Sequence, residues 1–417
     1  MDNMSGVGLG NIKINQLTVG GIDLMQSQTY AYAFNIYEDI FDVYGPKADI
    51  RVHDYVDALG NSRLNGSYDQ EVVISFSEYY TGNRLSMNFK LYENANMSDR
   101  AGKEGSGRMK EYDLRCVMSE LLSARGNFVN KSYVDLTTNI AKDVLVNDFK
   151  TQRTVEIQEQ SINKRRFNFN QKEPMAVMKI LNDEHIGSES NSSAFITYQN
   201  HRAGRSTYRI STFEKLFQQA PVARLIRSST TSFSTATLQD MIDSIRTYQI
   251  NSAFFTADRS NFSTISRSYN MSTGVLHDQS VPSTLAFKVL GKPIYSSRVP
   301  YVTNGPYSTT LYDSVNDPQN ITIAQARANR KQFLSYLSEN HGTFEIHGNP
   351  GITLGDVVNL TIPNQSAQGG SQERLFSGPA LVVSIQHKIS PIDSQPRYTM
   401  ILGLVKAGFN QYGGGSA

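Results

Sequence analysis

Residues 347–363 read HGNPGITLGDVVNLTIP, with glycines, a proline, an acid and a histidine packed ahead of a β-branched run. Closely spaced glycines are what a phosphate-cradling loop needs, because glycine lets backbone N–H groups turn toward an anion. The stretch lacks the Gly-Lys-Ser/Thr ending of such a loop. A strand pattern follows it, where a helix N-terminus would have to hold the anion. It reads instead as a corner of a β-structure. Asn349-Pro350-Gly351 suits a type II turn, with Pro350 fixing φ and Gly351 supplying φ > 0. Leu354-Gly355-Asp356-Val357 suits a second turn, after which Val358, Leu360 and Ile362 bury one face. The residues singled out as structural corners are Gly348, Pro350, Gly351, Gly355 and Asp356, together with Ser377 and Gly378 of the stretch LFSGPALVVSIQHKI.

Other candidate chemistry is weaker still. GVGLGN (6–11) resembles a fragment of a dinucleotide loop, but no strand precedes it and no helix pattern or downstream acid follows. It reads as a flexible arm. The histidines are His53, His185, His201, His277, His341, His347 and His387, and none shows HxH or HExxH spacing. His341 and His347 flank a strand start and are the pair close enough in sequence to meet in space. No metal site is expected. The carboxylate pairs Glu38-Asp39 and Asp183-Glu184 are adjacent in sequence and point to different faces, unlike a glycosidase pair. There is no GxSxG elbow, and Cys116 lies on an apolar strand face with no Cys/His constellation around it. Lys164-Arg165-Arg166 reads as a solvated basic loop. No catalytic residue and no cofactor-binding residue is expected.

The elements that must position these residues are mostly strands. The chain has 417 residues, 39% hydrophobic and 19% charged, with 22 Tyr, 20 Phe and no Trp. Such a length allows several domains with real cores. The net charge of +2 gives no electrostatic case for tight nucleic-acid or membrane binding. A single cysteine allows no intramolecular disulfide, which fits a reducing compartment. No secretory leader pattern opens the sequence, and no apolar run is long enough to span a membrane.

Period-2 alternation marks Ile50 and Val52, then Val72, Ile74 and Phe76, then Leu85, Met87, Phe89 and Leu91. The polar, glycine-rich 96–110 reads as a flexible loop. Tyr112, Leu114, Cys116 and Met118 alternate as another strand, and Ser119 is placed to cap a helical turn ending at Gly126. Asp135 is placed to cap a helix carrying Leu136, Ile140 and Val144, and Pro174 to open one carrying Met175, Met178 and Leu181 and stopping at Gly187. Residues 194–212 read as a hairpin with a longer basic loop, and 240–274 as strand, loop, strand. Residues 275–320 show little periodicity and read as a long ordered excursion. A helix with Ala326, Arg330, Phe333 and Leu337 on one side is stopped by Gly342, and strands follow at 344–347, 357–362, 381–389 and 398–405. The strand plan is used twice without sequence identity: 34–56 with 64–76, and again 245–270 completed by 348–363.

The order of these motifs resembles the central hub proteins of phage baseplates, related to the N-terminal part of type VI secretion spike proteins. The resemblance is carried by NIYEDIFDVYGPKADIRVHD with GSYDQEVVISF, by EYDLRCVMSELLS with SYVDLTTNIAKDVL, and by EPMAVMKILNDEHIG with SAFITYQNHRAGRSTYRISTFEKLF. It is carried most of all by FEIHGNPGITLGDVVNLTIP, LFSGPALVVSIQHKI and RYTMILGLV. The excursions 96–110 and 281–320 depart from the pattern.

The resemblance implies an α+β, mainly β chain with two tail-tube-like β-barrel domains, a small α+β domain and a long ordered excursion. The expected division is a first tube-like domain at 1–130 and a small α+β domain at 131–225. The second tube-like domain is split between 226–275 and 331–410 by an inserted region at 276–330, and 411–417 is a flexible tail. The resemblance also implies a virion structural protein without catalysis, assembled in the host cytoplasm. Its partners would be itself as a homotrimer, a tail tube or distal tube protein, a spike protein, other baseplate components, and DNA only in transit. A carbohydrate- or receptor-binding tail module is the alternative, motivated by the Tyr-rich 285–315. A cell-wall hydrolase is a further alternative that no visible catalytic pair supports.

Overall fold

The computed structural model describes residues 11–25, 30–55, 59, 70–100, 109–162, 164–189, 193–227, 244–251, 263–270, 275–282, 301–307, 330, 334, 337, 341–362, 377–392 and 395–406. The chain is α+β and mainly β. The N-terminal portion supplies β1 (Ile12–Val19), β2 (Ile22–Asp23), β3 (Tyr30–Asp39), β4 (Lys47–Asp54), β5 (Glu71–Glu78), β6 (Arg84–Arg100) and β7 (Met109–Val117). Alternation does what the sequence requires of it: Ile50, Val52, Val72, Ile74, Phe76, Leu85, Met87, Phe89, Tyr112, Leu114 and Cys116 are all buried on one face. Of the segment expected to be a loop at 96–110, residues 96–100 and 109–110 are strand, and 101–108 lie outside the described residues. β6 runs on to Arg100 and pairs with β7 as far as Arg100 opposite Met109. Backbone pairing with a long neighbour orders a polar stretch that has no hydrophobic pattern of its own.

An α+β unit follows. It comprises α1 (Ser119–Arg125), β8 (Val129–Leu136), α2 (Thr137–Asn147), β9 (Thr154–Ile157), β10 (Lys164–Lys172), α3 (Pro174–Glu184), β11 (Phe195–Arg202), β12 (Arg205–Thr212) and α4 (Phe213–Phe217). Ile140, Val144, Val177, Met178 and Leu181 form its core with Phe149, Phe195 and Tyr208. Several local details differ from expectation. Ser119 is the first helical residue rather than the cap, and its hydroxyl donates to Glu120 Oε2 at 3.2 Å. Asp135 lies outside α2, where its Oδ1 accepts from Leu136 N at 2.7 Å and Asn139 Nδ2 at 3.2 Å. α3 ends at Glu184, before Gly187. The β11–β12 hairpin has a two-residue turn, not a longer loop, because Ala203 and Gly204 both take positive φ, 51° and 75°. Lys164-Arg165-Arg166 opens strand β10, and Arg165 is buried rather than solvated.

The remaining strands are β13 (Ala223–Ile226), β14 (Ile245–Asn251), β15 (Ser263–Asn270), β16 (Val275–Pro282), β17 (Tyr301–Tyr307), β18 (His341–His347), β19 (Val357–Thr361), β20 (Gly378–Ile392) and β21 (Gln395–Val405). β15, β16 and β17 form a separate sheet in the order β16-β15-β17, so part of the excursion is regular strand. Residues 330, 334 and 337 are helical, with Arg330 and Leu337 buried; Ala326 and Phe333 lie outside the described residues. Gly342 does not stop that helix but sits inside β18.

One 13-stranded sheet joins both ends of the chain, in the order β14-β18-β21-β20-β3-β4-β7-β6-β5-β1-β2, with β19 on β20 and β13 on β19. It divides at the β20–β3 contact into two strand sets. Leaving β2 aside, the order in the first is β3-β4-β7-β6-β5-β1, and in the second β14-β18-β21-β20-β19-β13. Numbered from the start of each set, both read 2-3-6-5-4-1. The registers agree as well. Lys90 and Leu91 face Val117 and Cys116, as Leu381 and Val382 face Val405 and Leu404. Leu91 N donates to Gln70 O and Val382 N to Asp356 O, both at 2.8 Å. A bulge follows at once in each set, between Leu91 and Glu93 and between Val382 and Ser384. The sets differ in their first strand: β1 runs antiparallel to β5, β13 parallel to β19. The plan is thus repeated, but the counterpart of β4 is β18, not the 263–270 strand that the sequence pattern offered. Among the described residues the path is open, and no closed barrel forms.

Candidate functional site

The two sets meet where β20 pairs antiparallel with β3, from Ser384 opposite Asp39 to Ile389 opposite Phe34. Three polar side chains are buried in this seam. His387 Nε2 lies 2.7 Å from Glu38 Oε1, and His387 Nδ1 lies 2.6 Å from Tyr398 Oη. A neutral imidazole satisfies both contacts, with Nε2–H donating to the carboxylate and Nδ1 accepting from the phenol. Phe76 closes the site edge-on to Tyr398 at 5.1 Å. Burial, with the charges of Glu38 and Glu78, pushes the Tyr398 phenol well up. The order Tyr-His-Glu has the form of a proton relay, but His387, Glu38 and Tyr398 are 1%, 3% and 1% exposed, so no substrate atom can approach. The chemistry available here is cross-sheet fixation. Sequence reasoning picked out His387 only as part of a motif and missed Glu38 as its partner.

The corner residues are brought together around Asp356. Its Oδ2 accepts from Thr353 N and Thr353 Oγ1, each at 2.9 Å, and Arg202 of β11 pairs with its other oxygen. Asn200 Nδ2 donates to Leu354 O at 2.7 Å and Thr353 Oγ1 at 3.0 Å. The polar groups of the glycine-rich stretch are engaged by Arg202 and Asn200. The stretch is the dock for the α+β unit on the second strand set.

Within the stretch the turns differ in detail from expectation. Ile352 N donates to Asn349 O at 3.1 Å, so Pro350 and Gly351 are the central residues. Gly351 does not take positive φ, which rules out type II there, and Asn349 Oδ1 accepts from Gly351 N at 2.9 Å instead. The type II geometry is one turn later and one residue earlier than expected, over Thr353–Asp356, with Gly355 at φ 79°. A Cβ at Gly348 would lie 1.8 Å from the Tyr398 ring, so that glycine serves close packing. Ser377 and Gly378 are at the start of β20. Ser377 Oγ accepts from Ile362 N at 3.0 Å, and Lys406 Nζ donates to Ser377 O at 2.6 Å. Burial pushes the Lys406 ammonium down to about 8.

His341 and His347 occupy opposite ends of β18 and do not meet. Among the described residues no cluster of His, Cys, Asp or Glu is placed to hold a metal. Cys116 is buried, and burial, then Asp49, pushes its thiol up. GVGLGN up to residue 10, the tail 411–417 and most of the Tyr-rich 285–315 lie outside the described residues. No described helix is long and apolar enough to cross a membrane.

The sheet face opposite the core is polar across the seam. A groove of about 400 Å³ there is lined by Asn35, Asp49, Arg51, Asp113, Arg115 and Lys388. Charges of both signs interleave: Arg51 Nε lies 2.9 Å from Asp113 Oδ1, and Arg115 Nη1 lies 3.0 Å from Glu93 Oε2.

No protein-family model and no curated protein matches the sequence. Solved structures do. The tail protein from Neisseria meningitidis MC58 superposes with a TM-score of 0.58 at 13% identity, covering 95% of this chain and 97% of that one. The 43 kDa tail protein of prophage MuSo2 from Shewanella oneidensis gives 0.55 at 10% identity, covering 95% and 98%. The fold is a phage tail-protein fold. A component of the Escherichia coli type VI secretion system follows at a TM-score of 0.48 and 9% identity, over 95% and 76%. The tail-protein fold spans both strand sets and the α+β unit between them, since each of the first two superpositions covers nearly all of both chains.

Proposed function

We propose that the chain is the central hub of a phage tail baseplate. As a homotrimer it joins a hexameric tail tube, through the tube or a distal tube protein, to a trimeric spike. The observation that carries this reading is the strand order 2-3-6-5-4-1 found twice in one continuous sheet, with the same register and the same bulge. Three such chains present six closely similar units to a six-fold partner while keeping three-fold symmetry for a spike. A ring of this kind nucleates tube growth by offering the tube its own repeat.

The interleaved charges of the polar face suit the wall of a channel through which DNA passes. A one-signed basic wall would grip phosphate, whereas Arg51 and Arg115 here are paired with Asp113 and Glu93. Fixation of the seam by Glu38, His387 and Tyr398 fits a part that must keep its shape, and no catalytic step enters the reading.

Light scattering with negative-stain imaging of the same peak tests it. A ring-shaped particle of about 140 kDa is expected from three 46.5 kDa chains. A monomer that stays monomeric when mixed with the cognate tube and spike proteins refutes the hub.

A further inference from the structure

The repeat leaves two strand edges without the neighbour that their counterparts have. In the first set, β3 has β4 on one side and β20 on the other. Its counterpart β14 has β18 on one side only. On the other side, the described residues offer no paired strand: a single bridge joins Ser244 to Ile226, and Arg227 Nη1 donates to Ile245 O at 2.9 Å and to Arg246 O, leaving the edge from Thr247 onward without a described strand partner. In the second set, β20 pairs with β19 at its start and with β3 further on. Its counterpart β6 pairs with β5 at its start. Past Leu91, no described residue pairs with that side of β6, although the strand continues to Arg100 against β7. The missing partner of β6 is a β14, and the missing partner of β14 is a β6.

Burial tells the same story. Register through β4 and β18 makes Tyr248 the counterpart of Phe34 and Ile250 the counterpart of Ile36. Phe34 and Ile36 are 1% and 0% exposed, yet Tyr248 is 38% exposed and Ile250 is only part-buried. An apolar residue at a seam position stays in water because its cover is absent. A long open edge of this kind templates addition of another strand.

We propose that the open edge of β14 is completed by β6 of a second copy of this chain, antiparallel and in the register that β3 and β20 already show. The proposal rests on the hub reading and adds the residues through which the copies join. Translating the inner seam through β7 and β21, with the second bulge of β6 between Asn94 and Asn96 that β20 lacks taken into account, sets Asn96 opposite Asn251, Met97 opposite Ile250 and Ser98 opposite Gln249 of the neighbour. The contact is head-to-tail, because each copy gives one β6 and receives on one β14. Such contacts close into a ring, in which seams within a chain alternate with seams between chains.

The inner seam also fixes which positions carry hydrogen bonds. Ile40 N donates to Val383 O, so the even-numbered residues of β3 bond across the seam, and Asn35 with Lys388 is a non-hydrogen-bonded pair. The counterpart of that pair is Gln249 with Ser98. The counterpart of Ile36, whose N–H faces β20, is Ile250. Paired cysteines in the first position and a proline in the second therefore make the test. Ser98→Cys combined with Gln249→Cys, oxidised mildly, is expected to give disulfide-linked species that stop at three chains on a non-reducing gel. Ser98→Cys with Tyr248→Cys, which puts one thiol on the other face, is expected to give none.

Ile250→Pro removes an outward N–H from an edge strand. It is expected to keep the circular dichroism spectrum while lowering the mass by light scattering to one chain. A trimer that forms without the disulfide, or that survives Ile250→Pro, overturns this seam and leaves the hub reading standing. A wild-type chain that is monomeric and never cross-links overturns the seam and counts against the hub as well.

Discussion

Three glycine-to-alanine substitutions separate backbone strain from lack of space. Gly82 has φ 69° and nothing within 4 Å of an added Cβ, so Gly82→Ala carries the conformational cost alone, about 1–2 kcal/mol. Gly348 does not take positive φ, but its Cβ would lie 1.8 Å from the Tyr398 ring. Gly348→Ala therefore carries a packing cost of about 1–3 kcal/mol or more, since Tyr398 is held by His387 and cannot swing aside freely. Gly355 has both problems, with φ 79° and an added Cβ 2.2 Å from the buried Tyr198 Oη. Summing the two contributions gives about 2–5 kcal/mol for Gly355→Ala. Gly355→Val adds a β-branch and lies at the top of that range or above. The assay is urea denaturation followed by tyrosine fluorescence, since the chain has 22 tyrosines and no tryptophan to mask them. The expected order of loss is Gly82→Ala least and Gly355→Ala most. Equal midpoints for Gly82→Ala and Gly355→Ala refute the reasoning, because the Tyr198 contact would then cost nothing.

His185 and His201 are buried, and burial first of all pushes them down to about 3 and about 4. A folded-state value below the unfolded one means full stability above about pH 6.5, lost as pH falls toward those values. The loss is up to about 3 kcal/mol for His201 alone. Urea midpoints from about pH 7 to about pH 4.5 measure it; His201→Gln is expected to flatten the slope, and an unchanged slope contradicts the assignment. Asp356→Asn weakens the pairing with Arg202 while keeping the shape, with an expected loss of about 2–4 kcal/mol in urea denaturation. Arg202→Met leaves the buried Asp356 carboxylate without its cation and is expected to cost at least as much, and a double-mutant cycle is expected to show coupling between the two. Cys116 is expected to resist maleimide until the chain unfolds, as its burial and raised thiol value require, and fast labelling of native protein contradicts this.

Much of the sheet was legible because burial on one face imposes alternation, which is a local signal. Ile50 and Val52 in β4, Val72 to Phe76 in β5 and Leu85 to Leu91 in β6 all declare their inner face from sequence. Pro174 likewise marks the start of its helix correctly. What stayed hidden is pairing between distant strands. Nothing in GTFEIH says that β18 takes the place of β4, because that role is set by β21 and β14 on either side of it. The strand at 263–270 alternates as well as β18 does, and only its pairing with β16 and β17 removes it from the main sheet. The corner at 347–363 was legible as a corner. Its purpose was not, since Arg202, Asn200 and Tyr198 reach it from about 150 residues away, as the separations of 154 and 153 for Arg202–Asp356 and Asn200–Thr353 show. The first turn has the expected residues but another type, and the second lies one residue earlier than expected, because Asn349 and Asp356 bond the nearby backbone N–H groups of Gly351 and Thr353.

The β20–β3 seam also sets a clock on synthesis. Glu38 and His387 are 349 residues apart, and a ribosome adding about 5–20 residues per second needs roughly 20–70 s to travel between them. Throughout that interval β3 has emerged without its permanent neighbour, holding Phe34 and Ile36 on an edge ready to pair with whatever strand arrives. Many ribosomes on one message bring nascent copies of that same edge close together. The seam that makes the finished sheet continuous is therefore the point at which newborn chains are most exposed to mispairing with each other.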